Sequence, residues 1–345
     1  TETELSEVDG ANGRLIVRGH SVAELARLPL LEVASTLWRG FVPEAELEPA
    51  VLGRAFAEAR ERAARVVLAQ APALARTSAG AGLRLLVAAL ATQGEPSPAA
   101  LAGAFPVFIA ALARKGRGQT WLVPTSSVSP AEDLVHLLHG EPDPVRARAL
   151  DAYWATVADH GMNASTFAAR VIASTGAELL PGVLGALGAL EGPLHGGAPG
   201  PVLDMLDQIG SADAVDAWLE AELGAGKRLM GFGHRVYRVR DPRADVLRQT
   251  AETLSSRYLE LAAVVEARAL ARLRRHKPDR PLATNVEFYT ALVLDAIGIP
   301  RDLFTATFAA GRVLGWIAHM LEQKQRGRLI RPSSRYTGPA VVDAA

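Results

Sequence analysis

From residue 20 onward, apolar positions recur every three to four residues, a spacing that predicts helices over 44–70, 77–92, 98–114, 143–174, 242–274 and 301–325. Strand signal is confined to the start, where LSEVDGANGRLIVRG reads as a hairpin turning through DGANG. Residues 115–130, KGRGQTWLVPTSSVSP, form the one long polar connector. No fixed-period repeat occurs, which argues against a solenoid. In GVLGALG, Gly182, Gly185 and Gly188 fall on one helical stripe, where close helix–helix packing is expected. The fold class expected is all-α, with a small N-terminal β-hairpin.

The stretch LFTATFAAGRVLGWIAHML, residues 303–321, has no Lys, Asp or Glu and raises the question of a membrane span. Arg312 sits at its midpoint, where insertion costs roughly 2.5–3.5 kcal/mol. No other segment reads as a span, so a buried helix of a large helical core is expected. A guanidinium on such a helix must then meet an anion or bear a heavy desolvation cost.

TNVEFY, residues 284–289, supports two readings. Thr284 followed three residues later by Glu287 has the form of a capping box. A carboxylate at a helix N-terminus is also placed to act as a base. The local pattern leaves both open.

Composition narrows the chemistry. The 345 residues suffice for two domains, and 49% are hydrophobic. Thirty-seven basic and 37 acidic residues cancel, giving no global footprint for nucleic acid or an anionic membrane. The absence of cysteine excludes disulfides, thiol nucleophiles, cysteine-ligated zinc and iron–sulfur clusters. TETELSEVDG carries no secretory pattern, and a cytoplasmic protein is expected.

Three of the eight histidines have unusual neighbours: His160 in DHGMNASTF, His195 in GPLHGGAPG and His234 in GFGHRVYRVRDPRA. Glycines beside a histidine remove side-chain cover and let a ligand approach. His136 and His139 share a helical face but lack a third ligand, so no metal site is expected. His20, His276 and His319 read as structural. GFGH and GAGKR both fail the phosphate-loop patterns, and no G-x-S-x-G elbow exists. Pro242 in DPR suits the first position of a helix that carries Arg243, and Arg331 precedes a proline in an extended segment. Glycine-flanked histidines, isolated arginines and a helix-end carboxylate suit a small polycarboxylate held by guanidinium forks.

The ordered motifs GPLHGGAPG, MGFGHRVYRVRDPRA, TNVEFY, FAAGRVLGWIAH and RPSSRYTG, with VDGANGRLIVRGHSVAELA and DHGMNASTF before them, resemble the motif series of citrate synthases. The resemblance spans nearly the whole chain. It implies a two-domain helical fold, with a large domain of 1–195 plus 305–345 and a small, mobile domain of 196–304, working as a homodimer. The activity implied is condensation of acetyl-CoA with oxaloacetate and hydrolysis of citryl-CoA, in the tricarboxylic acid cycle. By the same resemblance His195 would hold the thioester oxygen, Glu287 would take the methyl proton and His234 would polarise the ketone. His160, Arg243, Arg312 and the partner subunit's Arg331 would grip oxaloacetate. Leu229, Met230, Gly231, Phe232, Gly233, Arg238 and Asn285 match the coenzyme A region. The thioester is a co-substrate, and no permanently bound cofactor or metal is implied.

The chain departs from the family at one position. Most members carry aspartate where this chain has Glu287, although some short bacterial homologues resemble TNVEFY with glutamate. One extra methylene reaches about 1.5 Å further, and misplacement of about 1 Å can cost on the order of 100-fold in rate. Propionyl-CoA in place of acetyl-CoA, giving a 2-methylcitrate synthase, is a second reading. A weakly active homologue that senses dicarboxylates or acyl-CoA is a third.

Overall fold

The computed structural model describes residues 2–193, 195–197, 199–276 and 282–339. The parts of the expected domains at residues 1, 194, 198, 277–281 and 340–345 lie outside them. Three short antiparallel strands open the chain: β1 (Ser6–Asp9), β2 (Arg14–Val17) and β3 (His20–Ser21). Ser6 pairs with Val17 and Asp9 with Arg14. The expected hairpin is present, and Asp9 closes its turn by accepting the N–H groups of Ala11 and Asn12. The third strand was not legible in the sequence.

Helices follow: α1 (Val22–Leu25), α2 (Leu30–Trp38), α3 (Glu44–Leu47), α4 (Pro49–Leu74), α5 (Ala79–Ala89), α6 (Pro98–Gly116), α7 (Pro130–His139) and α8 (Pro144–Val157). Then come α9 (Ala164–Ala173), α10 (Leu179–Leu190), α11 (Pro199–Ile209), α12 (Val215–Gly224), α13 (Pro242–Thr253), α14 (Leu259–His276), α15 (Val286–Ile297) and α16 (Phe304–Arg326).

Three expected helices are each broken in two, the one over 44–70 at Glu48 between α3 and α4. The helix expected over 143–174 stops after α8, passes through Gly161 at φ +57°, and restarts as α9 under the cap of Asn163. That break carries His160. The helix expected over 242–274 is interrupted at Ser255, φ +50°, between α13 and α14. In the latter two cases the apolar periodicity continues across a turn that reverses the backbone, which periodicity alone does not reveal.

The core lies between α6 and α16. α16 packs against α2, α6, α8, α9 and α10, and is buried from Phe304 to Met320 apart from Thr305. Trp38 and Trp154 are fully buried and donate their indole N–H groups to the Leu314 and Thr307 carbonyls, at 3.1 and 3.0 Å. Each such ring buries roughly 150–250 Å² while keeping its polar edge paired. On the glycine stripe, a Cβ at Gly182 would stand 2.1 Å from Met320 Sδ, and one at Gly185 2.2 Å from Ile172 Cδ1. Close packing therefore explains those two, whereas Gly188 has no neighbour within 4 Å.

Contrary to expectation, a segment other than 303–321 has the length and composition of a span: α6. It is buried without interruption from Leu101 to Ala113 against α4, α5, α7 and α16. It is the central helix of a packed core.

Candidate active site

Two short chain segments, 231–233 and 283–285, set the site by pairing side by side. Gly233 N–H donates to the Ala283 carbonyl at 2.7 Å, Asn285 N–H to the Gly231 carbonyl at 3.0 Å, and Asn285 Nδ2 to the Gly233 carbonyl at 2.8 Å. Gly231 has φ +83°, and a Cβ there would lie 2.6 Å from the Phe288 ring, so this close approach needs glycine. The pairing brings His234, at the end of one segment, to the N-terminus of α15 at the end of the other.

Asn285 is the cap of α15: its Oδ1 accepts the Glu287 N–H at 3.1 Å. The capping box expected from Thr284 does not form. Thr284 is fully buried and gives its hydroxyl to Glu266, a carboxylate that also accepts from Tyr289 and Arg240. The helix starts one residue later than that pattern implies, so the Glu287 carboxylate does not fold back onto the cap. Among the described residues that carboxylate makes no hydrogen bond or ion pair, and the charges acting on it are those of Arg243, Asp241 and Arg312.

Glu287 is partly exposed by surface area yet ringed by protein. Burial pushes its carboxyl up to about 7, with Arg243 and Arg312 acting downward and Asp241 upward. A carboxylate near 7 is well matched to proton abstraction at neutral pH.

His160, His234 and Tyr237 pack together. The His160 and His234 rings are 5.5 Å apart, and His160 Nε2 is 3.1 Å from the Tyr237 hydroxyl. His234 Nδ1 accepts the N–H groups of Val236 and Tyr237, both at 3.0 Å. The proton of the neutral ring must then sit on Nε2, which makes that nitrogen a donor. Burial pushes His234 down to about 4, with Arg243 in the same direction; it pushes His160 well below its ordinary value, with Arg243 and Arg312 adding to the effect. Both are neutral donors at pH 7.

His195 follows the turn after α10. Its Nε2 lies 2.9 Å from Ser165 Oγ, which also stands 2.8 Å from Asn163 Oδ1 and accepts the Trp316 indole N–H at 3.1 Å. Ser165 thus has one proton for two acceptors. When it goes to His195 Nε2, the ring carries its own proton on Nδ1. Burial and the charges of Arg312 and Arg243 push His195 down to about 4.

Two buried guanidiniums face this group. Arg243 grips Asp241 through two bonds, Nε to Oδ1 at 3.0 Å and Nη2 to Oδ2 at 2.8 Å. Asp241 also caps α13 and accepts the Val286 N–H at 3.2 Å, tying Arg243 to the start of α15. Arg312 donates Nε–H to the Val157 carbonyl at 2.5 Å and lies over the Phe308 ring at 4.9 Å. No ion pair reaches it among the described residues, and burial lowers it to about 10. A buried cation held this way can receive an anion.

The remaining expected residues fall in three places. Leu229, Met230, Gly231, Phe232 and Gly233 form the strip against α15, with Phe232 and Phe288 rings 5.2 Å apart. Arg238 is exposed, its N–H bonded to the Gly10 carbonyl of the N-terminal hairpin at 2.8 Å. Arg331 is exposed on the C-terminal tail, next to Ile330, whose N–H is anchored to Ser174 Oγ at 3.0 Å. A single chain forms no hydrogen bond or ion pair between Arg331 and the histidine cluster among the described residues. His139 donates to the Ile297 carbonyl at 2.8 Å, and His319 bridges Asp159 and Arg170 in the core. Both are satisfied structural histidines.

Sequence reasoning missed Ser165, Trp316, Tyr153, Tyr237 and Asp241. Only Asp241 carried a local signal, an Asp–Pro pair opening a helix. Tyr153 is fully buried with an unpartnered hydroxyl, which costs roughly 1–3 kcal/mol if nothing ever pairs with it.

Three neutral imidazoles, one basic carboxylate and two guanidiniums around one cleft can hold a dicarboxylate, polarise a carbonyl and remove a proton next to another. The family profile described as "Citrate synthase, C-terminal domain" matches residues 1–333. The chain is 36% identical to the citrate synthase of Haloferax volcanii over 364 residues, covering 99% of this chain and 94% of that one. It is 54% identical over 200 residues to "putative citrate synthase 2" of Mycobacterium tuberculosis, a match covering 58% of this chain and spanning about half (54%) of that relative's length. The citrate synthase of Thermoplasma acidophilum, solved as a ternary complex with carboxymethyl coenzyme A and oxaloacetate, is 29% identical with a TM-score of 0.86, covering 100% of this chain and 95% of that one. The Thermotoga maritima citrate synthase is 34% identical with a TM-score of 0.85, covering 100% and 95%.

Proposed function

The chain belongs to the citrate synthase family, and we propose that it condenses acetyl-CoA with oxaloacetate and hydrolyses the citryl-CoA formed to citrate and CoA. The observation that carries this reading is the convergence of Glu287, raised to about 7, with neutral His195 and His234 between Arg243 and Arg312.

Oxaloacetate binds first. Its carboxylates meet Arg312 and Arg243 and, across a homodimer, the partner subunit's Arg331, while His160 and His234 surround the ketone. The resident cations favour a dianion, and Asp241 offsets only Arg243. The acyl-CoA lies along Leu229–Gly233, Arg238 and Asn285. Closure of the 196–304 segment over the cleft then excludes water. Thr305 Oγ1 bonds the Gly196 carbonyl at 3.0 Å, which holds the two ends of that segment together and supports a hinge there.

The Glu287 carboxylate removes a proton from the thioester methyl group as His195 Nδ1–H bonds the developing enolate oxygen. Base and donor must flank the same two carbons, because the methyl group is too weak an acid for a carboxylate alone. The enol carbon attacks the ketone carbon, whose oxygen is polarised by His234 Nε2–H. Water then cleaves the thioester and frees CoA. No resident cofactor takes part.

Thiol release from oxaloacetate plus acetyl-CoA, followed with a chromogenic disulfide, tests the reading; the chain has no cysteine to contribute background. Release above buffer supports it. No release with either acetyl-CoA or propionyl-CoA leaves the chain a binding protein, and a large preference for propionyl-CoA makes it a 2-methylcitrate synthase.

A further inference from the structure

Tyr153 lies near the C-terminal end of α8, seven residues before His160, and is completely buried. α8 packs against α13, α15 and α16, the helices that carry Arg243, Glu287 and Arg312. Those three residues are the charged groups that act on its hydroxyl, and that hydroxyl has no hydrogen-bond partner. A phenol can be buried without a partner only at a cost, so an orphan on a helix packed against the one that carries Glu287 points to a bond made during function. Guanidinium groups have no lone pair to accept a proton. Of the three, only Glu287 can receive the bond.

We propose that Tyr153 is a positioning residue for Glu287, its hydroxyl donating to the carboxylate when that side chain turns toward α8. The inference rests on the assignment of Glu287 as the base. A glutamate has one more rotatable bond than an aspartate, and a fixed donor removes the freedom that bond adds. One carboxylate oxygen is then held while the other faces the methyl group. Burial and the Glu287 charge raise the phenol far above its ordinary value, so Tyr153 remains a donor throughout the working range. The other charged groups acting on the carboxylate are Arg243 and Asp241 at α13 and Arg312 on α16.

The test is Tyr153→Phe, which keeps the ring and deletes the orphan oxygen. Expected are a roughly 10- to 100-fold fall in kcat, an oxaloacetate KM within about twofold of wild type, and no loss of melting temperature. The Glu287 carboxyl, followed by 13C NMR in the full chain labelled at glutamate Cδ and assigned by loss of its signal in Glu287→Gln, is expected to titrate about one unit higher in the variant. In a Glu287→Gln background, Tyr153→Phe is expected to add little further loss. An unmoved Glu287 titration overturns the proposal, and so does a raised oxaloacetate KM with kcat intact, which would give the hydroxyl to the substrate. If the wild-type chain releases no thiol, the assignment of function falls, while the carboxyl titration still decides whether Tyr153 and Glu287 are joined.

Discussion

Glu287 serves Asn285 with its backbone and not with its carboxylate: the Glu287 N–H meets Asn285 Oδ1 at 3.1 Å, and the side chain makes no hydrogen bond among the described residues. The cap and the proposed base are therefore separate residues two positions apart. Asn285→Ala is expected to cost about 1 kcal/mol of stability, as loss of a helix cap does. It also releases the Gly233 carbonyl and loosens the loop that ends in His234. Thermal melting together with kinetics checks this: a lower melting temperature and a raised acyl-CoA KM are expected, and an unchanged melting temperature contradicts the assignment of the cap.

The pH profile is expected to be governed by Glu287. The base must be ionised, and burial holds its carboxyl near 7, so kcat/KM is expected to rise through about pH 7 and level off above it. His195 and His234, held near 4, and His160, lower than usual, stay neutral there and add no step. Linkage gives a second sign. A carboxyl raised in the folded chain binds its proton more tightly folded than unfolded, so its contribution to stability falls as pH rises from about 4.5 to 7. The melting temperature of Glu287→Gln relative to wild type is expected to climb between pH 5 and pH 8, and a constant difference contradicts the raised carboxyl.

Ser165 faces two acceptors, Asn163 Oδ1 at 2.8 Å and His195 Nε2 at 2.9 Å, and which of them takes its hydroxyl sets which nitrogen of His195 carries the proton. With its hydroxyl given to Nε2, the Nδ1–H is available to the thioester oxygen. Ser165→Ala removes that control and is expected to lower kcat on the order of 10-fold with little change in either KM. A variant that loses only stability would make the Trp316–Ser165–His195 chain structural.

In the proposed homodimer Arg331 is expected to act across the interface. Arg331→Ala and Glu287→Gln homodimers should each be nearly inactive, whereas mixing them by unfolding and refolding should restore one working site per mixed dimer. If mixtures recover nothing, either Arg331 serves its own chain or it serves no site.

The fold class was legible in the sequence because it rests on apolar spacing, and the glycines around them singled out His195 and His234 as candidates. The breaks at 158–163 and 254–258 were not, because apolar periodicity runs through both while Gly161 and Ser255 turn the backbone into the left-handed region. The capping box failed for a tertiary reason. Thr284 matched the pattern, but Glu266 on a different helix takes its hydroxyl and shifts the start of α15 by one residue. Tyr153 and Ser165 gave no local sign, since what marks them is a neighbour brought in by packing.

The most direct test of the central claim is the turnover of Glu287→Gln, measured by thiol release with saturating oxaloacetate and acetyl-CoA beside the wild type and Glu287→Asp. A base at 287 predicts turnover near background for the glutamine variant at an undiminished melting temperature, with partial activity kept by aspartate. A glutamine variant that turns over at close to the wild-type rate would contradict the account.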